Sequence, residues 1–389
     1  MNNINFSEPN QIENGMVYTE KEIWDQPSLW QKIYDQVLLE KQSIISFLKI
    51  AISIENLHII LTGAGTSAFI GLSLTGSYNR NFKRHTTAIS TTDMVTHPLD
   101  LLNPDVPVLL ISFARSGDSP ESVAATRIVD QVCAKVFHLI ITCDASGALA
   151  KYGTNSSKYI FLLPPESNDK GLAMIGSYSG MLLAGLLISR IGEIELLANQ
   201  VKVLSQYGRQ LLDQSYQFRE LAEMNFNRVI FLGSGPLFGT ATESHLKVQE
   251  LSDGQIICKK DSFLGFRHGP KAVINKDTLI FLLFSNQPYV ILYEADLIES
   301  LSDGQKPMYI AGLLEYDPST IQIDKAFVLS ESGSHLDEEF LPVCFIIPAQ
   351  LIGLYKSLQL GLNPDMPSVS GAISRVVKGV AIYPFNKEK

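Results

Sequence analysis

Cysteine is scarce in this sequence: only Cys133, Cys143, Cys258 and Cys344 occur, and no two of them have Cys-x-x-Cys spacing. That excludes a zinc ribbon and a disulfide framework, and the scattered thiols read as reduced residues of a cytoplasmic protein that needs no metal. Positive charge is also short, with 31 Lys and Arg against 40 Asp and Glu for a net −9. Binding to a phosphate backbone requires a basic face, so nucleic acid is not an expected partner. The first 50 residues carry four lysines against seven acids, which argues against a DNA-reading module there. Long apolar runs are missing too. Met181 to Ile188 reads as the longest, far short of the roughly 20 residues that span a bilayer, and no signal peptide is recognisable. No membrane is expected. What is present is a globular composition, 46% hydrophobic and 18% charged over 389 residues, long enough for two domains of roughly 150 residues or more.

After a polar start, Thr19-Glu20-Lys21-Glu22 has the form of a capping box and predicts a short helix. Pro27 is expected to reset the chain into a longer helical stretch to about Lys49. Short, nearly continuous apolar runs follow at Leu57 to Thr62, Val108 to Ser112, Phe137 to Thr142 and Tyr159 to Leu163. Such runs suit strands buried on both faces of a parallel sheet. The plan then recurs: Val229 to Gly235 echoes Ile59 to Gly65 at an offset of 170, and Leu279 to Phe284, Met308 to Gly312 and Phe327 to Ser330 come in the same order. The expected fold is α/β: two tandem lobes, each a mainly parallel sheet flanked by helices, behind an N-terminal helical segment. The boundaries are set at 1–50, 51–215 and 216–389.

Two turns of the first lobe have the composition of a phosphate socket. At Arg115-Ser116-Gly117-Asp118-Ser119-Pro120 an apolar run gives way to hydroxyls that should open a helix. Backbone N–H groups at such an end are unpaired and carry partial positive charge. Gly117 lets the backbone approach a ligand. A plain serine-capped helix start has the same composition. The second turn, Gly63-Ala64-Gly65-Thr66-Ser67, favours the socket, because ligands of open parallel sheets bind beyond the carboxyl ends of strands where such turns meet. Ser67 and the Ser116 to Ser119 turn are expected to share one phosphate. A dinucleotide fingerprint at Gly63 and Gly65 would need a ribose-binding acid, and the region where it should stand reads Arg80-Asn81-Phe82-Lys83-Arg84-His85. The second lobe has Ser285-Asn286-Gln287-Pro288-Tyr289 at the corresponding place, so the phosphate machinery is assigned to the first lobe alone.

Beyond Gly233-Ser234-Gly235, Thr242 to Leu251 should be helical, with Glu243, Lys247 and Glu250 on one face. A solvated face with a Glu-to-Lys pair fits that pattern as well as an active-site carboxylate does. His268 lies in Gly265-Phe266-Arg267-His268-Gly269-Pro270, a loop where histidine is either merely solvated or placed to move protons near neutral pH.

Together these segments resemble the sugar isomerase (SIS) domain family, in an order similar to the isomerase half of glucosamine-6-phosphate synthase. Gly65-Thr66-Ser67 and Ser116-Gly117-Asp118-Ser119 match its phosphate turns, Glu243, Lys247 and Glu250 its catalytic helix, and Arg267-His268-Gly269-Pro270 its histidine loop. Gly63 to Gly71, Ser116 to Ala124, Gly265 to Lys271 and Asn363 to Ser368 are similar to the tagatose-6-phosphate ketose/aldose isomerase, or galactosamine-6-phosphate deaminase/isomerase, branch. The resemblance implies that Glu250 passes a proton between C1 and C2 and that His268 opens the sugar ring across a dimer interface. It places Gly65, Thr66, Ser67, Ser116, Gly117, Ser119 and Lys247 around phosphate and sugar. Ala114 and Arg115 stand where the synthase has Ser and Gln, so Arg115 adds a possible charged contact. The synthase's C-terminal active-site lysine would fall on Lys378 only with an insertion after Pro367. No glutaminase segment is expected ahead of the first helix, so ammonia would be free.

The implied activity is that of a cofactor-free sugar-6-phosphate aldose/ketose isomerase, in particular one converting galactosamine 6-phosphate to tagatose 6-phosphate and ammonia in a cytoplasmic homodimer or higher homo-oligomer with shared active sites. The alternative is a non-catalytic, sugar-phosphate-binding regulatory protein, which needs the serines but no base.

Overall fold

A computed structural model of the chain describes residues 17–301, 304–318, 321–377 and 379–386. Among the described residues ten strands form two five-stranded sheets, and every pairing is parallel. In the first, β1 (His58–Thr62), β2 (Thr86–Ala88), β3 (Val108–Ala114), β4 (Val136–Thr142) and β5 (Ser157–Leu162) take the order β2-β1-β3-β4-β5. In the second, β6 (Arg228–Gly233), β7 (Ile257–Asp261), β8 (Thr278–Leu283), β9 (Tyr309–Tyr316) and β10 (Lys325–Ser330) repeat it as β10-β9-β8-β6-β7. The central strands β3, β4 and β8 are buried at every position, as expected of strands covered on both faces.

The offset repeat has a physical basis at the first turn of each lobe. A Cβ on Gly63 would lie 2.6 Å from the Ser67 backbone, and one on Gly233 would lie 2.6 Å from the Leu237 carbonyl. Gly65 and Gly235 take φ of +56° and +55°. Only glycine meets both demands, so the chain turns from strand to helix identically in both lobes.

The N-terminal helix differs from its sequence reading. Thr19–Leu39 is one helix of 21 residues that contains Pro27, and the break comes at Glu40, before a second helix Lys41–Ile52. Pro27 removes the donor for the Ile23 carbonyl, and Gln26 Nε2 supplies it instead at 3.1 Å. No capping box forms. Thr19 Oγ1 donates to the Pro364 carbonyl at 3.1 Å, Glu22 accepts from the Lys170 and Gly171 amides, and Asp365 takes the first amides, Val17 and Thr19, at 2.7 Å each. The cap comes from the far end of the chain.

The core gathers around helix Gly176–Ser189, buried along its whole length. Trp30 packs on it and donates to Ser179 Oγ at 3.0 Å; Ser179 donates to Gln26, and Gln26 to Gln350 on helix Ile347–Gln359. Met181 to Ile188 is not the longest apolar stretch. Helical segments over Glu338–Gln359 are long and apolar enough to cross a bilayer, but this stretch is 89% buried inside the protein.

Candidate active site

The strand order reverses between β1 and β3, and ligands of such sheets bind beyond the carboxyl ends of the strands at this place. Both serine turns lie there. Helix Thr66–Phe82 starts directly after Gly65, and helix Pro120–Val132 starts after Ser119, with Gly117 at φ +72°. The second turn is pinned from behind: Asp118 Oδ1 accepts from the Ala148 amide at 2.9 Å, and Gly147 sits so close that a Cβ would meet the Ser116 carbonyl at 2.0 Å. A cleft of about 610 Å³ opens between the turns, lined by Gly65, Thr66, Ser67, Arg115, Ser116, Gly117 and Ser119.

Helix Leu237–Leu251 of the second lobe closes the opposite side, starting well before the predicted Thr242. It crosses helix Thr66–Phe82 at Gly239, where any Cβ would come within 2.6 Å of the Phe69 carbonyl and 2.2 Å of Ser73 Oγ. This close crossing brings Glu243, Lys247 and Glu250 to the first lobe. Glu250 lines the cleft. Lys247 is fully buried behind it, its Nζ 2.6 Å from Glu250 Oε2 and 3.2 Å from Glu243 Oε1. Glu243, also fully buried, accepts from Thr66 Oγ1 at 3.2 Å, a bond that ties the second lobe's helix to a residue lining the cleft.

Burial pushes the Glu243 carboxyl up to about 8; Lys247 opposes the shift and Glu250 adds to it. Burial alone would lower the pKa of Lys247, but the two carboxylates outweigh it and raise it. A cation held between two carboxyl groups, with Glu250 the nearer, is the arrangement that lets a lysine be buried. Arg115 is 7% exposed and donates to the Leu172 carbonyl at 3.2 Å and to the Arg375 carbonyl. Burial lowers its pKa, Asp169 works against that, and Arg375 adds to it.

His268 is exposed on the turn after helix Phe263–Phe266 and does not line the cleft of its own chain. Lys378 lies outside the described residues. Sequence reasoning missed the third wall of the cleft, residues 371–377, which carry Arg375. That segment has no periodicity, and its contacts are with residues some 200 positions away.

Fold and cleft together define a class: doubled parallel α/β proteins with a serine-lined site at the strand ends. The "SIS domain" family description matches residues 52–189. D-galactosamine-6-phosphate deaminase AgaS from Shewanella sp. (strain ANA-3) is 37% identical over 377 residues, covering 96% of this chain and 93% of the relative. The solved tagatose-6-phosphate ketose/aldose isomerase from Escherichia coli superimposes with a TM-score of 0.86 at 35% identity, over 95% of this chain and 97% of that one. A solved chain from Clostridium novyi NT reaches a TM-score of 0.94 at 38% identity, over 99% and 100% of the two chains. The chain belongs to the SIS domain family.

Proposed function

We propose that this chain is a sugar-6-phosphate aldose/ketose isomerase that converts galactosamine 6-phosphate to tagatose 6-phosphate with loss of ammonia. The observation that carries the reading is Glu250, held by Lys247 at 2.6 Å and facing the same cleft as both serine turns. The turns take the phosphate on their backbone amides and hydroxyls. The sugar carbons then lie toward the second lobe. Glu250 removes the C2 proton of the open-chain hexosamine and returns it to C1, through an enolamine. The double bond moves from C1–O to C2–N as O1 gains a proton and the nitrogen loses one, and water adds to the resulting imine and expels ammonia, leaving the ketose. C1 is reduced as C2 is oxidised within the same molecule, so there is no net redox change and the chemistry calls for no redox cofactor. The full-length relatives bear names of this chemistry on both sides, deaminase and ketose/aldose isomerase.

His268 acts as the ring-opening acid–base group from a second copy, since it is exposed and outside the cleft of its own chain. The assembly is a homodimer or a higher homo-oligomer with shared active sites, and the four free cysteines suit a cytoplasmic setting. A sensor reading gains nothing from the buried Glu243–Lys247–Glu250 group. The test is ammonia release from the 6-phosphates of galactosamine and glucosamine, alongside ketose formation from plain aldose 6-phosphates. Ammonia and ketose in equal amounts from galactosamine 6-phosphate support the reading; binding of all of these without turnover of any would overturn it.

A further inference from the structure

Beyond helix Ile347–Gln359 the described residues contain no further helix or strand. This tail caps the N-terminal helix with Asp365, walls the cleft with residues 371–377, and ends with Tyr383 and Phe385 beside helix Pro120–Val132. Arg375 makes three side-chain hydrogen bonds to the first lobe. Nε donates to the Asp169 carbonyl at 2.9 Å, and Nη2 donates to Asn168 Oδ1 at 2.8 Å and to the Asp169 carbonyl at 2.5 Å. Its own carbonyl accepts from Arg115.

The charges at the cleft do not balance. Its charged lining residues are Arg115, Arg375 and Glu250. Glu250 has Lys247 as its partner. Both guanidinium groups bond to uncharged acceptors only: the carbonyls of Leu172, Arg375 and Asp169, and the Asn168 amide oxygen. The nearby Asp169 carboxylate is occupied by the Ile175, Gly176 and Ser177 amides at 2.8, 2.9 and 3.0 Å. Two like charges thus face one partly desolvated cleft with no carboxylate hydrogen-bonded to either guanidinium; Asp169 and, behind it, Glu250 offset Arg115 only through space, so an anion arriving between the two arginines is favoured. A phosphate monoester carries about −1.5 to −2 at neutral pH and presents three acceptor oxygens, which matches two forked donors. Arg375 Nη1 and Arg115 Nε have no hydrogen-bond partner among the described residues.

We propose that Arg375, carried by the tail, is a substrate-binding residue that clamps, together with Arg115, the phosphate dianion held by the serine turns. The clamp rests on the sugar-phosphate reading above. It makes the tail a determinant of specificity for phosphorylated over neutral sugars.

The test uses the full chain and inorganic phosphate as the probe, with binding followed by calorimetry at pH 8 for wild type, Arg375→Gln and Arg375→Lys. Arg375→Gln should bind phosphate roughly tenfold or more weakly, the usual consequence of losing a hydrogen bond to a charged group. Arg375→Lys should recover part of the loss, and KM for the sugar phosphate should rise in parallel with kcat little changed. Asn168→Ala, which removes an anchor of the guanidinium and keeps its charge, should weaken phosphate less than Arg375→Gln does. Wild-type phosphate affinity in Arg375→Gln overturns the clamp, as does a loss in Asn168→Ala equal to that in Arg375→Gln, because the arginine would then only fasten the tail. If Arg375→Gln does not fold, Arg375→Lys decides: weaker binding than wild type supports the clamp and equal binding overturns it. A wild-type protein that neither binds phosphate nor turns over any sugar phosphate would instead remove the functional reading and the clamp with it.

Discussion

Glu243 stands one helical turn before Lys247 and shares its ammonium with Glu250, so the ionisation of the hidden carboxyl is felt at the cleft. Its pKa is pushed up to about 8 by burial, which leaves it neutral at pH 7 and Lys247 fully available to Glu250. As the pH rises through about 8, Glu243 gains a negative charge and draws Lys247 away from Glu250. Turnover of wild type should therefore decline above pH 8, and Glu243→Gln, which cannot ionise, should lack that decline in its kcat profile. A wild-type alkaline limb retained by Glu243→Gln would show that some other group titrates there. Buried ion pairs broken on one side cost about 3–5 kcal/mol, so Lys247→Ala, in contrast, should lower the unfolding midpoint sharply.

Elements show why parts of the molecule were legible in the sequence and others were not. Strands β1, β3, β4 and β8 stand out as apolar runs because parallel sheets covered on both faces leave them no solvated side. Two of the four edge strands, β2 and β7, gave no such signal, whereas β5 and β10 did. β2 has only three residues, and β7 reads Ile257-Cys258-Lys259-Lys260-Asp261 with no buried position. Glycine turns and serine turns were readable because backbone geometry restricts which residues can stand there. Arg375 and the Asp365 cap were not, because they act across the whole length of the chain and follow no period. The tail cap is testable: Asp365→Ala should lower stability by about 1–2 kcal/mol in chemical denaturation, the range for losing a cap with a favourable dipole charge. Asp130 ties the outer edge of the first sheet, accepting from His138 Nε2 at 2.9 Å, Tyr152 at 2.9 Å and Thr154 at 2.7 Å. Burial alone would raise its pKa, but these bonds outweigh that and hold it at about 2. Because the folded value lies below the ordinary one near 4, its contribution to stability is complete above about pH 4 and is lost as the pH falls through about 2. Asp130→Asn should therefore lower the melting temperature at pH 7 and flatten the acid limb of the stability curve.

At the scale of the whole molecule, the two lobes share a topology and differ at the corner where the first carries its serine turn. In the second lobe the place of the phosphate turn is filled from within: the Ser285 amide donates to Glu294 at 3.0 Å, and Asn286 Nδ2 to Glu315 at 2.6 Å. Carboxylates of the protein occupy the corner where the first lobe presents open serines, so the second lobe contributes its first helix and no anion site. If His268 completes the cleft of another copy, mixing inactive Glu250→Gln and His268→Ala subunits should restore part of the activity, since some hybrid sites carry both native side chains. No recovery after verified subunit exchange would place both residues in one chain's site. The central claim, that Glu250 moves the proton between the sugar carbons, is tested most directly by Glu250→Gln in deuterated solvent. That variant keeps size and hydrogen-bonding capacity but cannot take the proton. It should bind the sugar phosphate nearly as wild type, lose about 10²-fold or more in kcat, and show no deuterium incorporation at C1 or C2. Turnover and exchange near the wild-type rate would contradict the account.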